Sequence, residues 1–111
     1  MRLNKKVFII TGASSGIGEA LSKSLAQRGA IIVCAARREN ELRRVTDEII
    51  NKSGTALSVK TDITNVADCR FLIKKTIEEY GRIDGLILNA GLSMWSKFED
   101  IKDISYFQIL I

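Results

Sequence analysis

Short apolar runs and helix-period stripes take turns along the whole of this 111-residue chain, and that alternation constrains the fold more than any other feature. Apolar runs predict strands over residues 7–10, 31–35, 57–60 and 86–88, and the stretches between them predict helices over 15–28, 39–51 and 66–80. Strand and helix in strict alternation build a parallel sheet with helices on its faces, because a parallel neighbour is reached only through a crossover. Val66, Cys69, Ile73, Ile77 and Tyr80 form one apolar stripe, and Leu42, Val45 and Ile49 another. Helices this short are marginal alone, so each stripe must rest on the sheet. Gly29, Ser53-Gly54 and Gly81 suit left-handed helix ends, and Asn65 with Asp68 three residues on suits a helix start. Over residues 92–103, around Trp95 and Phe98, the pattern dissolves into an expected loop, and a further helix is expected to begin near Ile104 or Ser105. The fold class expected is α/β, as one domain over residues 1–111, with strand-helix units to residue 91 and loop and helix start beyond.

The first strand runs straight into Thr11-Gly12-Ala13-Ser14-Ser15-Gly16-Ile17-Gly18. A strand, a glycine turn and a helix start make a socket for a phosphate, since the unpaired N–H groups of the helix's first turn point at the anion. Gly12 lets the chain leave the strand tightly, Gly16 lets backbone approach a pyrophosphate, and Gly18 lets the helix pack close to the strand. Glu19 follows Gly18 where a triphosphatase loop would carry Lys and then Ser or Thr, so that class is disfavoured. In a dinucleotide-binding unit the end of the second strand meets the adenosine ribose: an acid there holds a free 2′-hydroxyl, an arginine a 2′-phosphate. Arg37, with Arg38 behind it, stands 19 positions beyond Gly18, near the spacing of about 20 expected for this contact. The cofactor expected is NADP in preference to NAD.

Composition narrows the chemistry further. There is no histidine, which removes histidine acid/base catalysis and histidine metal ligands. Cys34 and Cys69 have neither the count nor the spacing of a disulfide framework or a zinc site, as suits reduced cytoplasmic thiols. The net charge of +4 comes from basic residues interleaved with acids, so no nucleic-acid partner is expected. The longest apolar run, residues 30–36, falls far short of the ~20 residues of a membrane span. The first six residues are basic, but the apolar run behind them is too short for a signal peptide, and a cytoplasmic location is expected.

The chain resembles the N-terminal half of a short-chain dehydrogenase/reductase, whose glycine loop has this Thr-Gly-x3-Gly-x-Gly form. Asp62-Ile63-Thr64 is similar to the family's segment in which an Asp holds the adenine amino group and the next residue lies against the ring. Leu88-Asn89-Ala90-Gly91 is similar to the family's Asn-Asn-Ala-Gly segment, which stabilises the sheet beside the cofactor, with Leu88 replacing the first Asn. The resemblance implies a Rossmann-like, doubly wound parallel sheet, here partial, with strand order 3-2-1-4. It implies cofactor contacts from Thr11, Gly12, Ser14, Ser15, Gly16, Ile17, Gly18, Arg37, Arg38, Asp62, Ile63, Asn89, Ala90 and Gly91. It also implies hydride transfer between the dinucleotide and a carbonyl or alcohol substrate in a full-length parent. The family's catalytic Ser and Tyr-x3-Lys find no match, for Tyr80 is followed four positions on by Asp84 and Tyr106 by Leu110. A truncated or split enzyme, inactive as it stands, is the first expectation; a non-catalytic nucleotide-sensing or interaction module is the second. The edge of the fourth strand is expected to invite self-association.

Overall fold

The computed structural model describes residues 3–14 and 16–89. Along the chain run β1 (Val7–Thr11), α1 (Gly16–Gln27), β2 (Ile31–Ala36), α2 (Glu39–Asn51), β3 (Thr55–Lys60), α3 (Val66–Tyr80) and β4 (Gly85–Ile87). The strands form one parallel sheet in the order β3-β2-β1-β4, a Rossmann-like arrangement in the order expected. Every residue of β1 is buried, which is why it reads as an unbroken apolar run rather than an alternating one. Its side chains divide between two faces with the period of a strand. Val7 and Ile9 join Val33, Cys69, Leu72 and Leu86 under α3, while Phe8 and Ile10 join Ile32, Leu42, Val45 and Ile49 under α1 and α2.

Two strands start earlier than their apolar runs. β3 begins at Thr55 because its pairing with β2 extends back to Ile31, and its half-exposed residues gave no apolar signal there. β4 begins at Gly85 because Asp84 fastens the start of the β1 ladder: the Asp84 N–H donates to the Val7 carbonyl at 2.8 Å, and the Val7 N–H donates to the Asp84 carboxylate at 2.7 Å. Among the described residues, β4 has a strand partner on its β1 side only.

The caps follow expectation. Asn65 accepts from the Asp68 N–H, and Gly81 closes α3 at φ 75°. At the end of α2, Ser53 of the expected Ser53-Gly54 pair takes the left-handed conformation, at φ 68°. Gly54 serves close packing instead, since a Cβ there would lie 2.7 Å from Ile49 Cγ2. Both cysteines are buried and unpaired with each other, and burial pushes the Cys34 thiol up to about 12, well away from reactivity. No helix among the described residues is long and apolar enough to cross a membrane. The loop expected over 92–103 and the helix expected from 104 or 105 lie outside the described residues.

Helices α1 and α2 are joined on their outer sides by ion pairs. Glu19 accepts from Arg44 and from Lys23, and these bonds, Arg44 first, hold its carboxyl down from 4.5 to about 2. A folded-state value below the unfolded one contributes stability that is complete above the unfolded value and is lost as pH falls toward the folded one. Denaturant midpoints compared between the protein and Glu19→Gln should therefore differ at neutral pH and converge as pH falls from 4.5 toward about 2. Parallel pH profiles would contradict the pairing.

Candidate functional site

The turn after β1 is shaped by what its glycines lack. Gly12 and Gly16 hold left-handed backbone, at φ 62° and 59°. Gly18 is a matter of space: a Cβ there would lie 2.1 Å from the Gly12 carbonyl oxygen and 2.7 Å from Asn89 Nδ2. The same Asn89 Nδ2 donates to the Gly12 carbonyl at 3.2 Å, and the Asn89 N–H donates to Thr11 Oγ1 at 3.2 Å. Thr11 Oγ1 in turn donates to the Ile87 carbonyl at 3.4 Å. The end of β4 thus holds the glycine turn from one side. From the other, the Ala13 N–H donates to the Ala35 carbonyl at 3.2 Å, at the end of β2.

A cleft of about 290 Å³ opens at the carboxyl ends of β1, β2 and β3, where open parallel sheets receive their ligands. Gly12 and Ser14 line it from the glycine turn, Ala36, Arg37 and Arg38 from the end of β2, and Thr61 and Ile63 from the segment after β3. That last segment is pinned on two sides. The Thr61 N–H donates to the Ala36 carbonyl at 2.8 Å, and the Asp62 N–H donates to Asp68 Oδ2, on the first turn of α3, at 2.8 Å.

The electrostatics of the cleft favour an anion. Arg37 and Arg38 are exposed, and among the described residues neither is in an ion pair, whereas Arg43, Arg44 and Arg82 all are. Asp62 is the acid nearby, and its Oδ1 is already engaged, accepting from the Thr64 hydroxyl at 2.6 Å and the Thr64 N–H at 2.9 Å. Those bonds, the hydroxyl first, together with the charge of Arg37, hold its carboxyl below the ordinary value.

Of the residues expected at a cofactor site, the cleft brings together Gly12, Ser14, Arg37, Arg38 and Ile63. Thr11 and Gly18 are buried and shape the turn, Asn89 ties that turn to β4, and Asp62 closes its own turn. Gly16 and Ile17 are exposed at the start of α1, Ile17 by 75%. Ser15, Ala90 and Gly91 lie outside the described residues. Sequence reasoning missed Ala36 and Thr61, although each directly precedes a residue it named. Proton chemistry finds no support in Tyr80: burial pushes its phenol up, the opposite of what an acid/base tyrosine needs. Among the described residues no group of His, Cys, Asp and Glu could hold a metal ion.

A parallel sheet in this order, a glycine turn opening a helix and a cleft at the strand ends define a dinucleotide-binding α/β unit. Residues 6–111 match the short chain dehydrogenase family, and the chain belongs to that family. It is 43% identical to an uncharacterized oxidoreductase, Lin0452, of Listeria innocua over 110 residues, 99% of this chain and 44% of that protein. It therefore spans less than half the length of that relative. Solved structures agree on the fold. A hydroxysteroid dehydrogenase from Escherichia coli superposes with a TM-score of 0.79 at 36% identity, over 81% of this chain and 38% of the other. An actinorhodin polyketide ketoreductase with NADPH gives 0.75 at 32% identity, over 78% and 33%. A short chain dehydrogenase/reductase from Burkholderia phymatum in complex with NAD gives 0.76 at 31% identity, over 78% and 31%.

The two kinds of glycine constraint can be told apart by denaturation. A left-handed alanine at Gly16, where the added methyl meets open space, should cost about 1–2 kcal/mol. Gly18→Ala should cost more, because the Gly12 backbone would have to move, as in overpacking that costs about 1–3 kcal/mol or above. A Gly18→Ala protein as stable as Gly16→Ala would contradict the close approach.

Proposed function

We propose that this chain is the cofactor-binding part of an oxidoreductase that transfers hydride between NADP(H) and a carbonyl or alcohol substrate, and that it prefers NADP to NAD. The observation that carries the preference is the pair Arg37 and Arg38 on the cleft wall, outside any ion pair among the described residues. An arginine at this place suits a 2′-phosphate, and its bonds to one are charge-assisted. The residues present fit such a cofactor in other ways as well. Gly16 faces open space at the start of α1, and the unpaired N–H groups of that first turn suit a pyrophosphate. Ile63 offers an apolar surface to an adenine ring, with Asp62 beside it.

When bound, the nicotinamide supplies or accepts the hydride; this chain's residues bind and orient the cofactor. The 111 residues contain no Tyr-x3-Lys, and proton transfer is assigned in this proposal to segments outside them, in a protein of the length of its relatives. The buried thiols fit a reducing cytoplasm as the place of action.

Isothermal titration of the chain with NADP+ and with NAD+ tests the reading. NADP+ should bind tighter by about tenfold or more, as one charge-assisted contact supplies. Arg37→Asp should erase that preference by exchanging attraction for repulsion, and Arg38→Ala should change it less. Equal affinities of the unaltered chain for the two cofactors would overturn the preference.

A further inference from the structure

Four side chains between α1 and α2 form a closed ring of alternating charge. Arg44 grips Glu19 with a fork, Nη2 to Oε1 at 2.9 Å and Nη1 to Oε2 at 3.2 Å. Arg44 also reaches Glu48 at 3.4 Å, Glu48 pairs with Lys23, and Lys23 returns to Glu19 at 2.6 Å. Two acids and two bases sum to no net charge, so the ring adds little field at the cleft. Its side chains are partly exposed, Glu19 by 20% and Arg44 by 43%, and surface pairs contribute little to stability unless they form a network.

What the ring does is geometric. Glu19 lies one residue beyond Gly18, on the first turn of the helix that the glycine turn opens. Arg44 lies seven residues beyond Arg37, about one and a half turns into α2. The start of α2 has no side-chain cap bond at Arg38, and the fully buried positions of α1 are the small residues Gly18, Ser22 and Ala26. The forked pair therefore ties the helix that follows the glycine turn to the helix that follows the arginines.

Resting on the NADP reading above, we propose that Glu19 and Arg44 are positioning residues for cofactor choice: the sheet fixes the strand ends, and their forked pair fixes how the first turn of α1 and the start of α2, just beyond Arg37, sit against each other. Both cofactors reach from the turn to the end of β2, but only the one with a 2′-phosphate takes a charge-assisted contact there, and that contact depends most on where Arg37 stands. Loosening the strut penalises NADP+ more than NAD+. The two substitutions that cut the fork move the local charge in opposite senses, which separates geometry from electrostatics. Neither strands a partner, for Lys23 stays with Glu19 when Arg44 is changed, and Glu41 and Glu48 stay with Arg44 when Glu19 is changed.

The test is isothermal titration of the chain with NADP+ and NAD+ for the unaltered protein, Glu19→Gln, Arg44→Gln and Arg44→Lys. The ratio of NADP+ to NAD+ affinity should fall about fivefold in both glutamine variants, the scale of a modest coupling between sites. Arg44→Lys keeps the charge and loses the fork, so its ratio should fall as well; should Arg44→Gln fail to fold, this variant carries the comparison. Partial unfolding lowers both affinities alike and leaves the ratio untouched. An unchanged ratio in folded variants overturns the proposal, as does a rise in Glu19→Gln with a fall in Arg44→Gln, the mark of simple charge. If the unaltered protein itself shows no preference, the NADP reading fails and this inference falls with it, a result visible before any variant is made.

Discussion

Between Gly18 and the Gly12 carbonyl there is no room for a methyl group, and the cleft depends on that contact. It brings the first turn of α1 directly against the turn that leaves β1. Asn89 locks the arrangement by donating to the same Gly12 carbonyl, and the Asn89 N–H reaches Thr11. A residue at the end of β4, distant in sequence, thus holds the shape of a turn near the start of the chain.

The end of β2 is the second fixed point. Carbonyls of Ala35 and Ala36 receive the N–H groups of Ala13 and Thr61, so the loops after β1 and β3 are both hung on the strand that delivers Arg37 and Arg38. The parallel ladder continues past the formal strand ends, and the cleft walls inherit its register. Polar side chains then finish each loop locally: Thr64 on Asp62, Asp68 on the Asp62 N–H. The arginines are the exception, carrying charge at the cleft with no ion-pair partner among the described residues, and this is why an anionic ligand is the reading the site supports best.

The fold was legible in the sequence wherever burial was complete. β1 and β2 are covered on both faces and read as apolar runs; α2 and α3 each show one stripe. Legibility failed at Thr55 and Ala56, which join β3 through backbone pairing with β2 while their side chains stay partly exposed. At Ser53-Gly54 residue type marks the left-handed end of α2 but not which of the two residues turns; the structure gives that to Ser53, and Gly54 packs against Ile49. At the site, the left-handed glycines and the place of the arginines at the end of β2 were readable, because both follow from position along one strand-helix-strand unit. Ala36 and Thr61 were not, because lining a cleft with backbone and small side chains leaves no chemical signature. The bonds of Asn89 to Thr11 and Gly12 span nearly the full described length of the chain, and residue type alone could not supply them.

On the proposed function, the cleft at the ends of β1, β2 and β3 takes the phosphorylated adenosine end of a dinucleotide. Amide spectra of the 15N-labelled chain, recorded while adenosine 2′,5′-bisphosphate is added, test it most directly. Shifts should concentrate at Gly12, Ser14, Arg37, Arg38, Thr61 and Ile63, with Lys52 and Gly54 in the crevice between α1 and α2 unmoved. Shifts scattered over basic surface positions such as Lys74 and Lys75, with the cleft amides silent, would contradict it.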